Sequence, residues 1–172
     1  MTPPVTRVRR SRLVLAMLPA LVLLGACASP ATATLTPPPS VGLGVDRDLW
    51  EQTHTRGPDY LHFATYDDDA YHAGYTGNRI SYLEIRFSNP QPDPEEAVAR
   101  ATTYLPTDAA LVETYSPEAV PELTVYLYAS DYLKERFPAD AFRQAAPGEF
   151  IAVFPVFDGV VPYVILGLGN TP

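Results

Sequence analysis

Cysteine is almost absent from this chain, which has a single one, Cys27, among 172 residues. One thiol cannot form a disulfide within the chain, and it cannot supply the several thiolates of a structural zinc site. If that one sulfur is modified, the chain keeps no thiol for a nucleophile either. The position of Cys27 therefore decides what the sulfur can do.

Long hydrophobic runs are also missing. The apolar stretch from Leu13 to Leu24 has roughly a dozen residues, whereas a helix needs about 20 to cross a bilayer. Four arginines between positions 7 and 12 precede this stretch, and small residues follow it. Basic, apolar and small segments in that order are typical of an export signal, so the sequence predicts a signal peptide over residues 1–26.

The signal ends in Leu24-Gly25-Ala26-Cys27. This tetrapeptide resembles the lipobox of bacterial lipoprotein precursors, and the resemblance covers residues 1–30 only. It implies cleavage before Cys27, diacylation of its sulfur with chains such as palmitate, and Cys27 as the mature N-terminus. Two acyl chains anchor a protein firmly, because each buried CH₂ contributes about 0.8 kcal/mol. The expected location is extracytoplasmic, on the cell membrane or the outer membrane, with the membrane as a partner.

Positive charge is scarce in the part that remains. Removal of residues 1–26 takes away four arginines and no acids, which leaves eight basic groups against 20 acidic ones, a formal net charge of −12. Nucleic acids and anionic lipid surfaces are bound through Lys and Arg contacts to phosphate, so this charge argues against both as partners. The predicted lipid, and not surface charge, holds the domain at a membrane.

Residues 27–46 lack an apolar period and are rich in Pro, Thr and Ala. Three consecutive prolines favour an extended polyproline II conformation, at about 3.1 Å per residue. We therefore assign 27–46 to the acylated cysteine and its tether. The remaining residues, 47–172, are enough for one domain with one core.

Known catalytic signatures are missing from the domain. The sequence has no G-x-S-x-G, S-x-x-K, H-E-x-x-H or G-x-G-x-x-G motif in a suitable context, and no phosphate-binding loop. No nucleophile or oxyanion donor can be nominated from the pattern. We name no catalytic residue and no cofactor, and expect a non-enzymatic protein.

The hydrophobic periodicity and the positions of Pro and Gly predict an α+β fold. The segment Arg79–Asn89 alternates between apolar and polar residues, with Leu83, Ile85 and Phe87 on one face, as in a strand with one solvent-exposed face. Asp93-Pro94 begins a helix, with Glu96 placed for the reciprocal capping bond. Further predicted elements are strands over 108–116 and 122–129, a short helix over 132–137, a turn over 140–146, a hairpin over 149–168 and a weaker strand over 60–66. The main order is β-α-β-β-α-β-β, a mostly antiparallel sheet with helices on one face.

The C-terminal hairpin turns at Asp158-Gly159, a dipeptide suited to tight turns. A two-residue loop would place Pro155 opposite Pro162 at a hydrogen-bonded position, where neither can donate. We therefore predict a four-residue loop over 157–160, or a ladder that opens at the prolines.

Both faces of this hairpin are apolar. Residues 151, 153, 155 and 157 alternate with residues 150, 152, 154 and 156, and all eight are nonpolar. Two short helices can cover one face only. Three covers remain for the other face: segment 46–78, a second copy of the chain, or an apolar ligand or partner, of which we expect segment 46–78.

Every histidine lies between positions 54 and 72, close to Asp67, Asp68 and Asp69. Two histidines with carboxylates suit Zn²⁺ or Fe²⁺, and paired carboxylates suit Ca²⁺, which makes His62, Asp67, Asp69 and His72 candidate metal ligands. The spacing matches no recognised ligand pattern, however, and a solvated acidic turn explains the same residues.

Tyr60, Tyr66, Tyr71 and Tyr75 fall in the same stretch and could stack on sugar rings, as a glycan partner in the cell envelope requires. The sequence thus supports two functions. The first is a lipid-anchored envelope lipoprotein that binds a protein or glycan partner without catalysis. The alternative is a metal-dependent or glycan-acting extracytoplasmic enzyme that uses residues 54–78.

Overall fold

Seven strands form a single sheet in which every neighbouring pair is antiparallel. The structure, a computed structural model, describes residues 40–89 and 91–172. The strands are β1 (Ala64–Tyr66), β2 (Tyr71–Thr76), β3 (Arg79–Arg86), β4 (Ala110–Tyr115), β5 (Leu123–Ala129), β6 (Glu149–Pro155) and β7 (Tyr163–Leu168). Their spatial order is β1-β2-β3-β7-β6-β5-β4.

Within these described residues, four short helical segments accompany the sheet: α1 (Arg47–Trp50), α2 (Pro94–Thr102), α3 (Asp131–Arg136) and a 3₁₀ helix (Ala139–Phe142). The prediction of a mostly antiparallel sheet with some helix is confirmed. Before β3, however, the structure has α1, β1 and β2, and only β1 overlaps a strand that the sequence predicted.

Helix α2 begins as its sequence indicates, with one exception. The Asp93 carboxylate accepts a hydrogen bond from the Glu96 N–H at 2.9 Å, and Pro94 occupies the first helical position. The predicted reciprocal bond from the Glu96 side chain is not formed. Its carboxylate pairs instead with Arg100, one turn further along the helix.

The buried side chains form two clusters, one on each face of the sheet. The larger includes Phe150, Phe154 and Leu83, together with Trp50 from α1 and Phe142 from the 3₁₀ helix. The smaller is built from strand residues only: Val125, Leu127, Ile151 and Val153. We call the face that carries this smaller cluster the second face.

The C-terminal hairpin closes with a two-residue turn. Phe157 and Val160 exchange both backbone hydrogen bonds, at 2.9 and 3.0 Å, around Asp158-Gly159. The predicted four-residue loop is therefore wrong, whereas the predicted opening of the ladder at the prolines is confirmed, because the β6–β7 pairing stops at Val153 and Ile165.

The prolines explain this opening, because neither has an N–H to donate to the opposite strand. Pro155 pairs with Leu123 on β5, and the Pro162 carbonyl accepts from the Phe87 N–H at 2.9 Å. Beyond the point where β6 and β7 separate, β6 thus stays paired with β5, and the chain before β7 stays bonded to the end of β3.

The packed domain begins before position 47. Leu43 is fully buried and Val45 is 5 % exposed, although the sequence analysis placed both in the tether. The Ile80 carbonyl accepts from the Gly44 N–H, and the Val45 carbonyl accepts from the Ile80 N–H. Residues 40–46 therefore belong to the fold, because they extend the pairing of β3.

The two outer strands of the sheet end differently. At β1, the Gly57 N–H donates to the Thr65 carbonyl, so the chain itself pairs with that edge. At β4, Leu111 and Val112 are each 56 % exposed. A register shift between Leu111 and Glu113 interrupts the β4–β5 ladder. Bulges and charged side chains are common on edge strands, because they discourage pairing with other chains.

Candidate functional site

A cavity of about 460 Å³ lies on the second face of the sheet. Its floor is apolar and comes from β6 and β7, chiefly Ile151, Val153, Pro155 and Ile165. Pockets for small ligands have this size and this mainly apolar lining with a few polar groups. The alternation of the hairpin places these residues on one face, so this floor follows from the sequence pattern.

The rim of the cavity is more polar than its floor. Tyr82 and Tyr163 stand on one side, and Asp140 and Arg143 follow from the 3₁₀ helix. The Tyr82 hydroxyl donates to Glu84 Oε2 at 3.2 Å. Burial raises the pKa of Tyr82 far above its ordinary value, with the Glu84 charge adding to the effect, so this rim hydroxyl stays neutral.

Segment 46–78, the cover expected from the sequence, lies over only part of the second face. The Phe63 ring stacks on Tyr82 with centroids 4.6 Å apart, and the Tyr60 ring lies 5.6 Å from the His72 ring. Both contacts are over β2 and β3. Trp50, from the same segment, packs into the larger cluster instead. Among the described residues, this segment does not cover β6 and β7, and the cavity lies there.

His72 is the centre of a charged network on β2 and β3. It is 3 % exposed, with Nε2 at 2.6 Å from Asp69 Oδ1 and Nδ1 at 3.8 Å from Glu84 Oε1. Arg86 Nη1 lies 3.1 Å from Asp69 Oδ2. The hydrogen bond from His72 and the charge of Arg86 lower the pKa of Asp69. Sequence alternation put Glu84 and Arg86 on the wet face of β3, but it did not indicate that His72 would join them.

The other histidines lie apart from this network. His54 stacks on Trp50 at 3.6 Å, and its Nε2 lies 3.9 Å from Asp67 Oδ2. His62 is exposed in the turn before β1. Of the four candidate metal ligands, the structure therefore brings Asp69 and His72 into contact, whereas Asp67 pairs with His54 and His62 is exposed.

Within residues 40–89 and 91–172, no group of three His, Cys, Asp or Glu side chains is placed to hold a metal ion. The His72 network illustrates the reason. Asp69 and Glu84 meet opposite nitrogens of the His72 ring, so the three groups do not point at one shared position. A mononuclear metal centre requires ligand atoms that converge.

The three consecutive aspartates form the turn between β1 and β2. Asp67, Asp68 and Asp69 all have positive φ, a conformation that Asp tolerates better than most residues. Asp67 Oδ1 also accepts from the Thr55 N–H at 2.7 Å. Their conformation gives these acids a structural role.

Asp67, Asp68 and Asp69 also line a second depression, of about 630 Å³, together with Arg56 and Asp59. Although it is the larger of the two, most of its charged groups already have partners: Arg56 pairs with Asp59 at 2.6 Å, and Asp69 pairs with His72 and Arg86. The first cavity has an apolar floor, whose side chains are not engaged in ion pairs. It is therefore the better candidate for a ligand.

The four tyrosines proposed for sugar stacking do not form one surface. Tyr66 is fully buried, and its hydroxyl bonds to the Tyr75 hydroxyl at 2.7 Å. The Tyr71 hydroxyl bonds to that of Tyr104 at 2.8 Å. Only Tyr60, 57 % exposed, is fully available from this set.

Comparison with protein families, with curated proteins and with solved structures found no significant match. The site must therefore be interpreted from its own chemistry. In the part of the chain that the structure describes, no helix is long and apolar enough to cross a membrane. Cys27, the predicted lipid attachment site, lies outside the described residues.

Arg143 is the rim residue that sequence reasoning missed. It lies in the segment 140–146, which the sequence predicts as a turn, but nothing local indicates that this turn reaches the cavity over β6 and β7. No sequence signal marks Arg143, because its position depends on packing between segments far apart in the chain.

Proposed function

We propose that this chain is an acyl-anchored envelope lipoprotein whose domain is a non-enzymatic binding module, with the second-face cavity as its ligand site. The observation that carries the binding role is the apolar floor of Ile151, Val153 and Ile165 under a cavity of ligand size. A polar rim around an apolar floor is the usual arrangement of a small-molecule site.

The anchor rests on the sequence. The basic residues, the short apolar stretch, the lipobox-like Leu24-Gly25-Ala26-Cys27 and the single cysteine all favour diacylation of Cys27. A net charge of −12 on the mature chain disfavours attachment through anionic lipids, so the acyl chains carry the attachment alone. The location that follows is the outer surface of the cell membrane, or the outer membrane.

A binding role fits the cavity better than catalysis does. Among the described lining residues there is no histidine, and the only charged side chains are those of Asp140 and Arg143. General acid–base catalysis needs a proton-transfer group placed next to the reacting atoms, most often a histidine. The residues that supply one, around His72, belong to a different part of the second face.

The lipid anchor is tested by metabolic labelling. Cells that express the full chain with labelled palmitate should incorporate label into the native protein and not into Cys27→Ser, and only the native protein should stay with membranes after a high-salt wash. Replacement of Ser29 by Ala is the matched control and should behave as the native chain. Equal label, or equal membrane retention without label, contradicts the proposal.

One observation favours the alternative, an extracytoplasmic enzyme acting on glycans. Buried His72 contacts Asp69 directly and lies beneath the partly exposed ring of Tyr60, so a proton-transfer group sits beside a stacking surface. If this is the function, purified protein should release soluble fragments from isolated peptidoglycan, and His72→Gln should abolish the release. Loss of that activity with a chelator would add a metal to this alternative.

A further inference from the structure

The cavity on the second face has one cationic residue among its described lining residues, Arg143. Its side chain forms no ion pair or hydrogen bond with any residue in 40–89 or 91–172. Most other arginines of this domain do pair, such as Arg56 with Asp59 and Arg86 with Asp69. A guanidinium presents five donors in a fixed planar fork, which fits a carboxylate in particular.

The backbone at Arg143 is strained. Its φ is 56° and its ψ is −113°, and the Ala145 N–H donates to the Phe142 carbonyl at 3.0 Å. These values are those of the first central residue of a type II′ turn, a position that glycine normally occupies. An L-residue in this conformation costs free energy, and such outliers often occur at functional sites, where a side chain must point in one direction.

The fold fixes where this turn lies. Phe142, directly before Arg143, is fully buried in the larger cluster. Its carbonyl is packed against Gly169, so closely that a Cβ at position 169 would lie 3.2 Å from that oxygen. Arg143 is thus held at the end of the cavity formed by Gly167 and Leu168, and Leu123 and Pro155 form the opposite end.

The apolar row along β6 is long enough for an extended alkyl chain. Ile151, Val153 and Pro155 follow one another on the same face of β6, and four residue steps of a strand measure about 13 Å. An extended alkyl chain of about ten carbons has that length. Ile151, Val153 and Pro155 are all nonpolar, so a chain lying over them would bury hydrocarbon against hydrocarbon.

From these observations we infer that the cavity binds a linear aliphatic carboxylate, a fatty acid, with its chain along β6 and β7 and its carboxylate paired with Arg143. This inference rests on the proposed function, because it names the ligand class of the same cavity. A domain held at a membrane by acyl chains is exposed to ligands of this kind.

Asp140 is the one acidic side chain among the described lining residues, and it opposes an anion. Its carbonyl accepts from the Arg143 N–H at 3.1 Å, but its carboxylate makes no ion pair with Arg143. A carboxylate in this position lowers the positive potential at the rim. Removal of its charge should therefore strengthen the binding of a fatty acid.

The first experiment compares head groups on one chain length by calorimetric titration. The protein is the whole mature chain from position 27, with Cys27→Ser so that no attached acyl chain competes. We expect decanoate to bind at least tenfold more tightly than 1-decanol or decyltrimethylammonium, and butanoate not to bind. If decanol and decanoate bind equally, the head-group inference is wrong and the cavity remains a ligand site. If no decyl compound binds, the ligand site of the proposed function is wrong as well.

The second experiment uses variants of the rim. Arg143→Gly should weaken decanoate binding at least tenfold and leave decanol unchanged, while its melting temperature rises because glycine accepts the strained turn. Arg143→Lys, which keeps the charge, should retain a preference for decanoate, and Asp140→Asn should tighten decanoate binding. A purely structural Arg143 predicts unchanged decanoate affinity in both Arg143 variants, and that result would overturn the inference.

Discussion

Asp69 shows how a residue in a turn acquires its role from residues on the strands. Its carboxylate is half exposed, yet it contacts buried His72 and the guanidinium of Arg86. These contacts stabilise the ionised form, so the pKa of Asp69 is lower in the folded chain than in the unfolded chain. A lowered folded pKa means that the ionised carboxylate stabilises the fold above the unfolded pKa, and that this stability is lost as the pH falls through the folded pKa.

Asp69→Asn should therefore lower the free energy of unfolding at pH 7 by less than about 1 kcal/mol, because a half-exposed pair is screened by solvent. The difference from the native protein should shrink as the pH falls below about 4, where the unfolded carboxyl becomes protonated, and should disappear once the pH lies below the lowered folded pKa. Denaturant unfolding at several pH values measures it.

Asp68→Asn is the matched control for this prediction. Asp68 has the same left-handed backbone and lies beside Asp69, but the pKa of Asp69 is not influenced by it. The control should show no comparable change with pH. A difference for Asp69→Asn that persists unchanged to pH 3 would contradict the assigned electrostatic role.

At the scale of elements, those with strong local signals were predictable. Helix α2 has its N-cap, its first-turn proline and its apolar residues in sequence, and β3 has its alternation. Strand β2 was not predicted. Its residues 72–74 are His-Ala-Gly, which show no alternation, and it is a strand because β1 and β3 pair with it on both sides. Tertiary pairing overrides weak propensity in such segments.

Asp93→Ala should destabilise the protein by about 1 kcal/mol, because the N–H of Glu96 then loses its acceptor at the start of α2. Thermal or denaturant unfolding measures the change. Asp93→Ser should restore most of the stability, since serine is also an N-cap residue.

Glu96→Gln separates the cap from the ion pair in α2. The Glu96 side chain pairs with Arg100 on the helix surface, and exposed pairs of this kind contribute about 0.3–0.5 kcal/mol. The expected loss is correspondingly small. Glutamine keeps the side-chain oxygen that a reciprocal capping bond would use, so the variant removes only the charge. A loss as large as that of Asp93→Ala would contradict the assignment of Glu96 to a weak surface ion pair.

At the scale of the whole molecule, the structure moves the start of the folded domain. Leu43 and Val45 are buried, and the main chain around them pairs with Ile80. The sequence could not indicate this, because "VGLGVD" is too short to show a period and its glycines are typical of a linker. The tether that the sequence predicts is correspondingly shorter.

A chain that begins at Arg47 should therefore be less stable than one that begins at Ser40, by at least about 3 kcal/mol, since burial of each large aliphatic side chain contributes about 1.5–3 kcal/mol. Urea unfolding of the two chains measures this difference. Equal stability of the two chains would contradict the role of residues 40–46.

The sequence by itself determined the properties that depend on composition and on neighbouring residues. These are the acidic charge, the export signal and lipobox that predict the anchor, the class of fold, and the apolar character of both hairpin faces. Tertiary structure alone decided which residues, distant in the chain, come into contact. Antiparallel pairing places Glu84 opposite His72, and it joins β3 to β7 across the sequence between them. The strained turn at Arg143 reaches the cavity by the same long-range packing, and no local period encodes contacts between residues so far apart in the chain.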